Sequence, residues 1–138
     1  MHRLVYYSTN RILGPHHDLR EQIDQILASS RRNNSQVGLT GALMFSSGFF
    51  GQILEGSQDA IEATFERIQQ DPRHGDVSLL EFASVNARSF GDWSMAFVGD
   101  GDGAFADWSN QGFDLGAVTG EVLLAKLRDL VSKSHRAA

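Results

Sequence analysis

The sequence predicts one α+β domain: a mixed sheet of five strands with two helices on one face and a further helix at the C-terminus. Two observations predict this class. A chain of 138 residues, 41% of them hydrophobic, can bury one core and is too short for two. Short apolar runs rich in aromatic and β-branched residues alternate with segments whose apolar residues recur every three or four positions, as strands and helices require.

The N-terminal part of the chain holds the first strand and the first helix. The run RLVYYS predicts the strand, and Asp18 suits the positive end of the helix that follows. We expect this helix to end at Asn34, because arginine and asparagine are common in a last turn and at a C-cap. Its buried stripe is predicted to comprise Leu19, Ile23, Ile26, Leu27 and Ser30.

A β-hairpin and a second helix come next. Two apolar runs in GLTGALMFSSGFFGQILEG flank Ser46, Ser47 and Gly48, which predicts a hairpin with its turn at these three residues. Ser57 is the predicted N-cap of the second helix, which should stop before Pro72. The apolar stripe of this helix is Ile61, Phe65 and Ile68.

Two more apolar runs, VSLLEFASV and WSMAFVG, complete the order β-α-β-β-α-β-β, which indicates a ferredoxin-like arrangement. An acidic, glycine-rich stretch follows, and then a last helix with Thr119 as its N-cap. We divide the chain into a domain of residues 1–98 and an extension of residues 99–138, which packs on the bare sheet face or at a dimer contact. Val118 and Leu123 occupy the staple positions of the last helix, and its stripe is Leu127, Leu130 and Val131.

The composition excludes several classes of binding partner and site. Twelve Lys and Arg against seventeen Asp and Glu give a net charge of −5, without the basic field that binding to nucleic acid needs. The absence of cysteine excludes disulfides, zinc–thiolate sites and thiol nucleophiles. No stretch approaches the roughly 20 apolar residues of a membrane span, and no signal peptide is evident. We expect a cytoplasmic protein that binds neither nucleic acid nor membrane.

Catalytic and metal motifs are not found. The sequence has no G-x-S-x-G elbow, no P-loop and no H-E-x-x-H. Asp100 and Asp102 lack the further acidic ligands of a calcium loop and are interpreted as a solvated turn. The adjacent His16 and His17, expected on a turn, have no matching ligand pair. We therefore expect no metal site and no enzyme.

Polar residues inside apolar elements carry the functional signal. Gln52 interrupts the run FFGQIL, and a buried glutamine is costly unless its amide finds partners. It is either a satisfied core amide or part of a shared polar site with Tyr6 and Asn34. Ile26 and Ile68, on neighbouring helices, are either ordinary core residues or the two walls of a slot for a flat heteroaromatic ring.

Five motifs in register then point to a family: RLVYYS, SSRRNN-x3-GLTG, FFGQILEG, F-x-x-I-x-x-D-x-R-H and F-x-x-W-S-M. Over residues 2–98 the chain resembles a BLUF domain, the flavin-binding blue-light sensor module. The resemblance implies a ferredoxin-like fold that holds FAD noncovalently between the first two helices, with FMN or riboflavin also possible. It implies a photoreceptor rather than an enzyme.

The resemblance also implies roles for individual residues. Tyr6 matches the family tyrosine that gives an electron to the excited flavin, and Gln52 matches the glutamine that passes a proton and is left rearranged. Trp93 and Met95 match the pair on the last strand whose movement carries the signal outward. The positions that match residues around the flavin are Ile26, Ser30, Asn33, Asn34, Phe50, Ile68, Asp71, Arg73 and His74.

Two features depart from the expected pattern. Gly51 stands where a bulky apolar residue is common, which is expected to loosen the strand. Tyr7 places a second phenol beside Tyr6, and strand alternation should turn it to the opposite face.

Two other functions compete with the sensor. One is a small acylphosphatase-like hydrolase that uses Arg73 and Asn34, and the other is a cofactor-free interaction module on the same fold. As a sensor, the chain would signal to a separate downstream protein, and we expect it to form a homodimer.

Overall fold

Five strands form one mixed sheet in the computed structural model, which describes residues 1–10, 16–45, 49–71, 74–91, 93–98 and 119–134. The sheet order is β4-β1-β3-β2-β5; all neighbours are antiparallel except β2 and β5, which are parallel. The predicted α+β, ferredoxin-like fold is confirmed. Its elements are β1 (His2–Asn10), α1 (His16–Val37), β2 (Thr40–Phe45), β3 (Phe49–Gly56), α2 (Gln58–Gln70), β4 (His74–Ser84), β5 (Ala96–Val98) and α3 (Gly120–Ser134).

Alternation along β1 separates two cores. Leu4 and Tyr6 face one side of the sheet and Val5 the other, and all three are at most 2% exposed. The first core packs under α1 and α2, through Ile23, Ile26 and Leu27 of α1 and Ile61 of α2. The second packs under α3, through Leu123, Leu127 and Val131.

The first helix is longer than predicted, and the prediction that it ends at Asn34 was wrong. It continues to Val37, and Gly38 follows with φ of 74°. Glycine adopts this left-handed conformation without penalty, which allows Leu39 N–H to donate to Asn34 O at 2.9 Å. Asn34 therefore lies within the last turn of α1 instead of capping it, so its side chain is available for a hydrogen bond in the core. At the other end, His16 and His17 lie in the helix and not on a turn.

The predicted caps are confirmed. Ser57 Oγ accepts from Ala60 N–H at 3.2 Å, and Thr119 Oγ1 accepts from Val122 N–H at 3.2 Å. The helix α2 ends at Gln70, before Pro72, as expected. The hairpin turn at residues 46–48, the stretch 99–118 and the side chain of Leu130 lie outside the described residues.

The last strand is shorter than predicted. Trp93 and Met95 precede β5 instead of lying on it, because their backbone groups have other partners. Trp93 N–H donates to Phe90 O at 3.0 Å, and Trp93 O accepts from Gly41 N–H at 3.3 Å. Met95 O accepts from Arg31 Nε at 3.2 Å. The segment is therefore held by contacts to the elements around it rather than by a strand ladder.

No helix among the described residues is long and apolar enough to cross a membrane.

Candidate functional site

A cleft opens between α1 and α2 above the central strands. The two helices supply its walls, and Gln52 of β3 is its only lining residue from a described strand. Two isoleucines line it, Ile26 from α1 and Ile68 from α2, and the other lining residues are polar. The lining comprises Ile26, Ser29, Ser30, Asn33, Asn34, Gln52, Thr64, Arg67, Ile68 and Asp71.

A buried chain of three side chains lies beside this cleft. Tyr6 and Gln52 are direct partners in the β1–β3 register, and the Tyr6 hydroxyl donates to Gln52 Oε1. Gln52 Nε2 donates to Met95 Sδ at 3.7 Å. None of the three side chains is more than 3% exposed. A single buried carboxamide therefore joins a phenol to a thioether.

The surroundings keep the Tyr6 phenol neutral. Its ring contacts Phe65 of α2, with centroids 5.3 Å apart. Burial raises the pKa of Tyr6 far above its usual value, and the negative charge of Asp71 raises it further. Because its pKa is raised, the phenol remains a proton donor throughout the physiological pH range. The β1–β4 register also shifts between Val5 and Tyr6, a local irregularity of the kind found beside functional sites.

Side chains near the end of α1 bind the backbone of Ser94 and Met95. Asn34, which is 1% exposed, donates from Nδ2 to Ser94 O at 2.6 Å. Arg31 Nε donates to Met95 O at 3.2 Å. The sequence suggested that Asn34 would lie near Gln52, and both line the cleft, but the amide group of Asn34 binds the segment before β5.

Trp93 and Met95 face opposite sides of the sheet. Met95 belongs to the core under α1 and α2, where its sulfur contacts Gln52. Trp93 packs against the core under α3 and lies 6.5 Å, between ring centroids, from Phe90. In this structure Met95 is therefore the member of the pair next to the amide, and Trp93 is the member that packs against the core under α3.

A polar bridge crosses the cleft and was not predicted. Asn33 Nδ2 donates to Thr64 Oγ1 at 3.1 Å, and Arg67 donates to Asn33 Oδ1. The bridge joins α1 to α2. Thr64, Arg67 and Ser29 were missed because polar residues on helices usually face solvent, and only the helix-to-helix packing reveals that these three face a cleft.

The other predicted site residues have mixed outcomes. Phe50 is fully buried against Phe45, with ring centroids 5.2 Å apart, and is not part of the cleft lining. Asp71 lines the cleft. Arg73 lies outside the described residues, as does the side chain of His74, whose backbone begins β4. That these residues bind a flavin stays a prediction.

Comparison with known proteins identifies the family. A family model described as "Sensors of blue-light using FAD" matches residues 1–96. The chain belongs to the BLUF family.

Short BLUF proteins of known structure are similar over nearly the whole chain. BlsA in its photo-activated state is 31% identical with a TM-score of 0.79, and the match covers 94% of both chains. BlrB in its dark state is 30% identical with a TM-score of 0.77, and the match covers 96% of both chains. The resemblance inferred from the motifs is thereby confirmed.

Curated BLUF relatives are much longer. The photoactivated adenylate cyclase subunit beta of Euglena longa is 35% identical over 77 residues, which are 55% of this chain and 9% of that protein. The blue light- and temperature-regulated antirepressor BluF of Escherichia coli (strain K12) is 33% identical over 75 residues, 54% of this chain and 19% of that protein. The matched segment thus covers less than a fifth of the length of these curated relatives.

The cleft fits the flavin that BLUF domains bind. The family description names FAD, and a structure of Klebsiella pneumoniae BlrP1 contains FMN. Here two isoleucines offer apolar walls for a flat ring. Within the described part of the chain, Gln52 Nε2 has only a weak thioether acceptor, and Asn34 Oδ1 accepts no hydrogen bond. A flavin edge with carbonyl acceptors and an N–H donor matches these two groups.

Proposed function

We propose that this BLUF protein senses blue light through a flavin held in the α1–α2 cleft and passes the signal to a separate protein. The observation that carries the proposal is the buried hydrogen bond from Tyr6 to Gln52, which lies at the cleft and continues to Met95. A phenol can give up both an electron and a proton. A carboxamide has a donor and an acceptor at its tip, so it can exchange hydrogen bonds without backbone movement.

The flavin, when bound, supplies a ring that absorbs blue light and then takes an electron from a nearby donor. Tyr6 is that donor, and its hydroxyl proton is already directed at Gln52 Oε1. The electron and the proton would then return to Tyr6, and Gln52 would be left rearranged, by rotation or tautomerisation, with its amide hydrogen bonds redirected. A rotated amide directs Nε2 at the Tyr6 oxygen and Oε1 away from it. Met95 Sδ then loses the N–H that it accepts in this structure, so the change reaches the segment before β5.

A dark-minus-light difference spectrum tests the proposal. Wild-type protein should show oxidised-flavin absorbance that shifts reversibly to the red under blue light. Tyr6→Phe should retain the flavin and lose the shift completely, since phenylalanine keeps the ring and removes the hydroxyl.

Tyr7→Phe is the matched control, because it removes the neighbouring hydroxyl of β1 from a residue paired with Gly51 rather than Gln52. This variant should behave as the wild type does. A Tyr6→Phe protein with the normal red shift would refute the proposed role of Tyr6.

We favour a non-enzymatic sensor over the two other functions. A hydrolase would need Asn34 to hold the substrate, whereas the Asn34 amide N–H already donates to Ser94 O. A cofactor-free module would leave Gln52 as a core amide, yet Gln52 lines the cleft, and among the described residues its side-chain N–H donates to the Met95 sulfur alone.

We also propose that the protein acts as a homodimer in the cytoplasm. The edge strand β4 supports the dimer, because no described strand pairs with its outer side and it exposes 52% of Leu79 and 37% of Phe82. Light scattering should give twice the mass of one chain. Leu79→Lys should reduce that mass to one chain, and a monomeric wild type would refute the dimer.

A further inference from the structure

The carboxylate of Glu55 is a buried charge that the site described above does not use. Glu55 is 0% exposed, in β3 three residues beyond Gln52, and it faces the α3 side of the sheet. A buried carboxylate is costly unless donors surround it. Three donors do. Ser89 N–H reaches Oε2 at 2.5 Å, Phe90 N–H reaches Oε1 at 2.9 Å, and the Thr40 hydroxyl reaches Oε1 at 3.0 Å.

Arg88 extends these contacts into a clamp, which we define as Thr40, Glu55, Arg88, Ser89 and Phe90. The Arg88 guanidinium donates to Thr40 Oγ1 at 2.8 Å and to Glu55 O at 3.0 Å. It also donates to the carbonyl of Gly38, which follows α1, at 2.9 Å. The clamp therefore fastens residues 88–90 to β2, to β3 and to the end of the helix that carries Asn34.

The segment held by the clamp leads directly to Met95. Phe90 N–H binds Glu55, while Phe90 O accepts from Trp93 N–H at 3.0 Å, and the Phe90 ring lies 6.5 Å from the Trp93 ring. Two residues later, Met95 Sδ accepts from Gln52. The position of Met95 is thus fixed from one side by Asn34 and Arg31, and from the other by a run of contacts that begins at Glu55.

We propose that Glu55 is a positioning residue of the light response: it holds residues 88–90 so that Trp93 and Met95 return to one location after each excitation. This inference rests on the proposed function. The clamp favours the arrangement in which Met95 accepts from Gln52, which is the arrangement that the light-driven change disrupts. A weaker clamp favours this dark arrangement less, so the light-adapted protein should return more slowly to the dark state.

Glu55→Gln tests the proposal, since it keeps the shape of the side chain and replaces one carboxylate oxygen by a donor. In one orientation of the amide, its NH2 group faces Ser89 N–H; in the other, it faces Phe90 N–H and the Thr40 hydroxyl. Two donors cannot bond to each other, so at least one hydrogen bond of the clamp is lost in either orientation. Dark recovery after a blue-light pulse should slow about tenfold, the effect of losing one hydrogen bond to a charged group. Flavin content and the dark absorbance maximum should match those of the wild type.

Thr40→Val gives a second, milder test, because valine is of similar shape and lacks the hydroxyl that bridges Glu55 and Arg88. It should slow recovery in the same direction by a smaller factor. The matched control is Glu81→Gln, which removes a carboxylate from β4 that pairs with Arg3 at 2.8 Å. Its recovery rate should equal that of the wild type.

A second readout separates positioning from general loosening. The chain has two tryptophans, so Trp108→Phe leaves Trp93 as the one indole. In that background, Glu55→Gln should raise acrylamide quenching of Trp93 fluorescence in the dark, and Glu81→Gln should not.

The outcomes are distinct. Wild-type recovery rates in flavin-loaded Glu55→Gln and Thr40→Val overturn the role of Glu55 and leave the sensor intact. Equal slowing by Glu81→Gln also overturns it, because the effect would then be unspecific. A wild type without any light response overturns both proposals.

Discussion

At the scale of the residue, the site depends on two groups that are buried in the protein. Tyr6 is fully buried and Gln52 is 3% exposed, so the hydrogen bond between them is weakly screened by solvent. The electrostatics act in the same direction, because burial and then Asp71 both raise the pKa of Tyr6. The phenol is therefore uncharged before light arrives, and its proton is available for the amide.

The light response should consequently not depend on pH near neutrality. We expect the amplitude of the red shift to be constant between about pH 6 and about pH 9, since the raised pKa keeps Tyr6 protonated throughout this range. Difference spectra in a series of buffers measure it, with flavin content as the control. A titration of the amplitude within this range would show that another group, and not a neutral Tyr6, limits the response.

The same pKa shift predicts how stability changes in alkali. The folded state favours the neutral phenol, so the contribution of Tyr6 to stability is complete below pH 10, the ordinary phenol value, and is lost as the pH rises above it. Urea unfolding at increasing pH should show a steeper loss above pH 10 for the wild type than for Tyr6→Phe, which has no proton to lose at this position. Equal slopes would contradict the burial of an ionisable phenol.

At the scale of the element, Gly51 shows how β3 serves both faces of the sheet. It follows Phe50 and precedes Gln52, and pairing with Tyr7 and Met44 continues through it. A Cβ at this position would lie 3.4 Å from Leu123 of α3 and 3.3 Å from Met44 Cε. The absence of a side chain thus lets α3 lie directly on the strand that carries Gln52.

Enlarging Gly51 should therefore disturb the docking of α3. Gly51→Ala needs shifts of only a few tenths of an ångström and should change the free energy of unfolding by less than about 1 kcal/mol. Gly51→Leu must displace Leu123 and should cost about 1–3 kcal/mol, as overpacking does. Chemical denaturation of both variants measures the difference. A Gly51→Leu protein as stable as the wild type would mean that α3 does not pack here in solution.

Elements were predictable from the sequence to the extent that their signals are local. Ser57 and Thr119 mark helix starts through their own side chains, and Tyr6 and Gln52 belong to recognisable motifs. Glu55 was not assigned a role because two of its three donors are backbone N–H groups 34 and 35 residues away, which no side-chain pattern marks. The end of α1 was misplaced because two asparagines suggested a C-cap, whereas Gly38 provides the left-handed residue one turn later.

At the scale of the whole molecule, the two faces of the sheet have different roles. The face under α1 and α2 holds the cleft, and the face under α3 holds a second core that closes the other side. Met95 and Trp93 lie two residues apart and belong to different faces. A displacement of the segment that carries them would therefore change the packing against α3 as well as the contact with Gln52.

The separation of the faces predicts different results for two comparable core substitutions. Leu127→Ala and Ile26→Ala each remove a buried aliphatic side chain, 0% and 7% exposed, and each should lower the free energy of unfolding by about 2–5 kcal/mol. Only Ile26 lines the cleft. Ile26→Ala should therefore also weaken flavin binding, whereas Leu127→Ala, if kept below its melting temperature, should retain the flavin and the amplitude of the red shift. Flavin dissociation constants from fluorescence titration, measured beside denaturation curves, decide between the outcomes, and equal loss of flavin affinity in both variants would show that the two cores act as one.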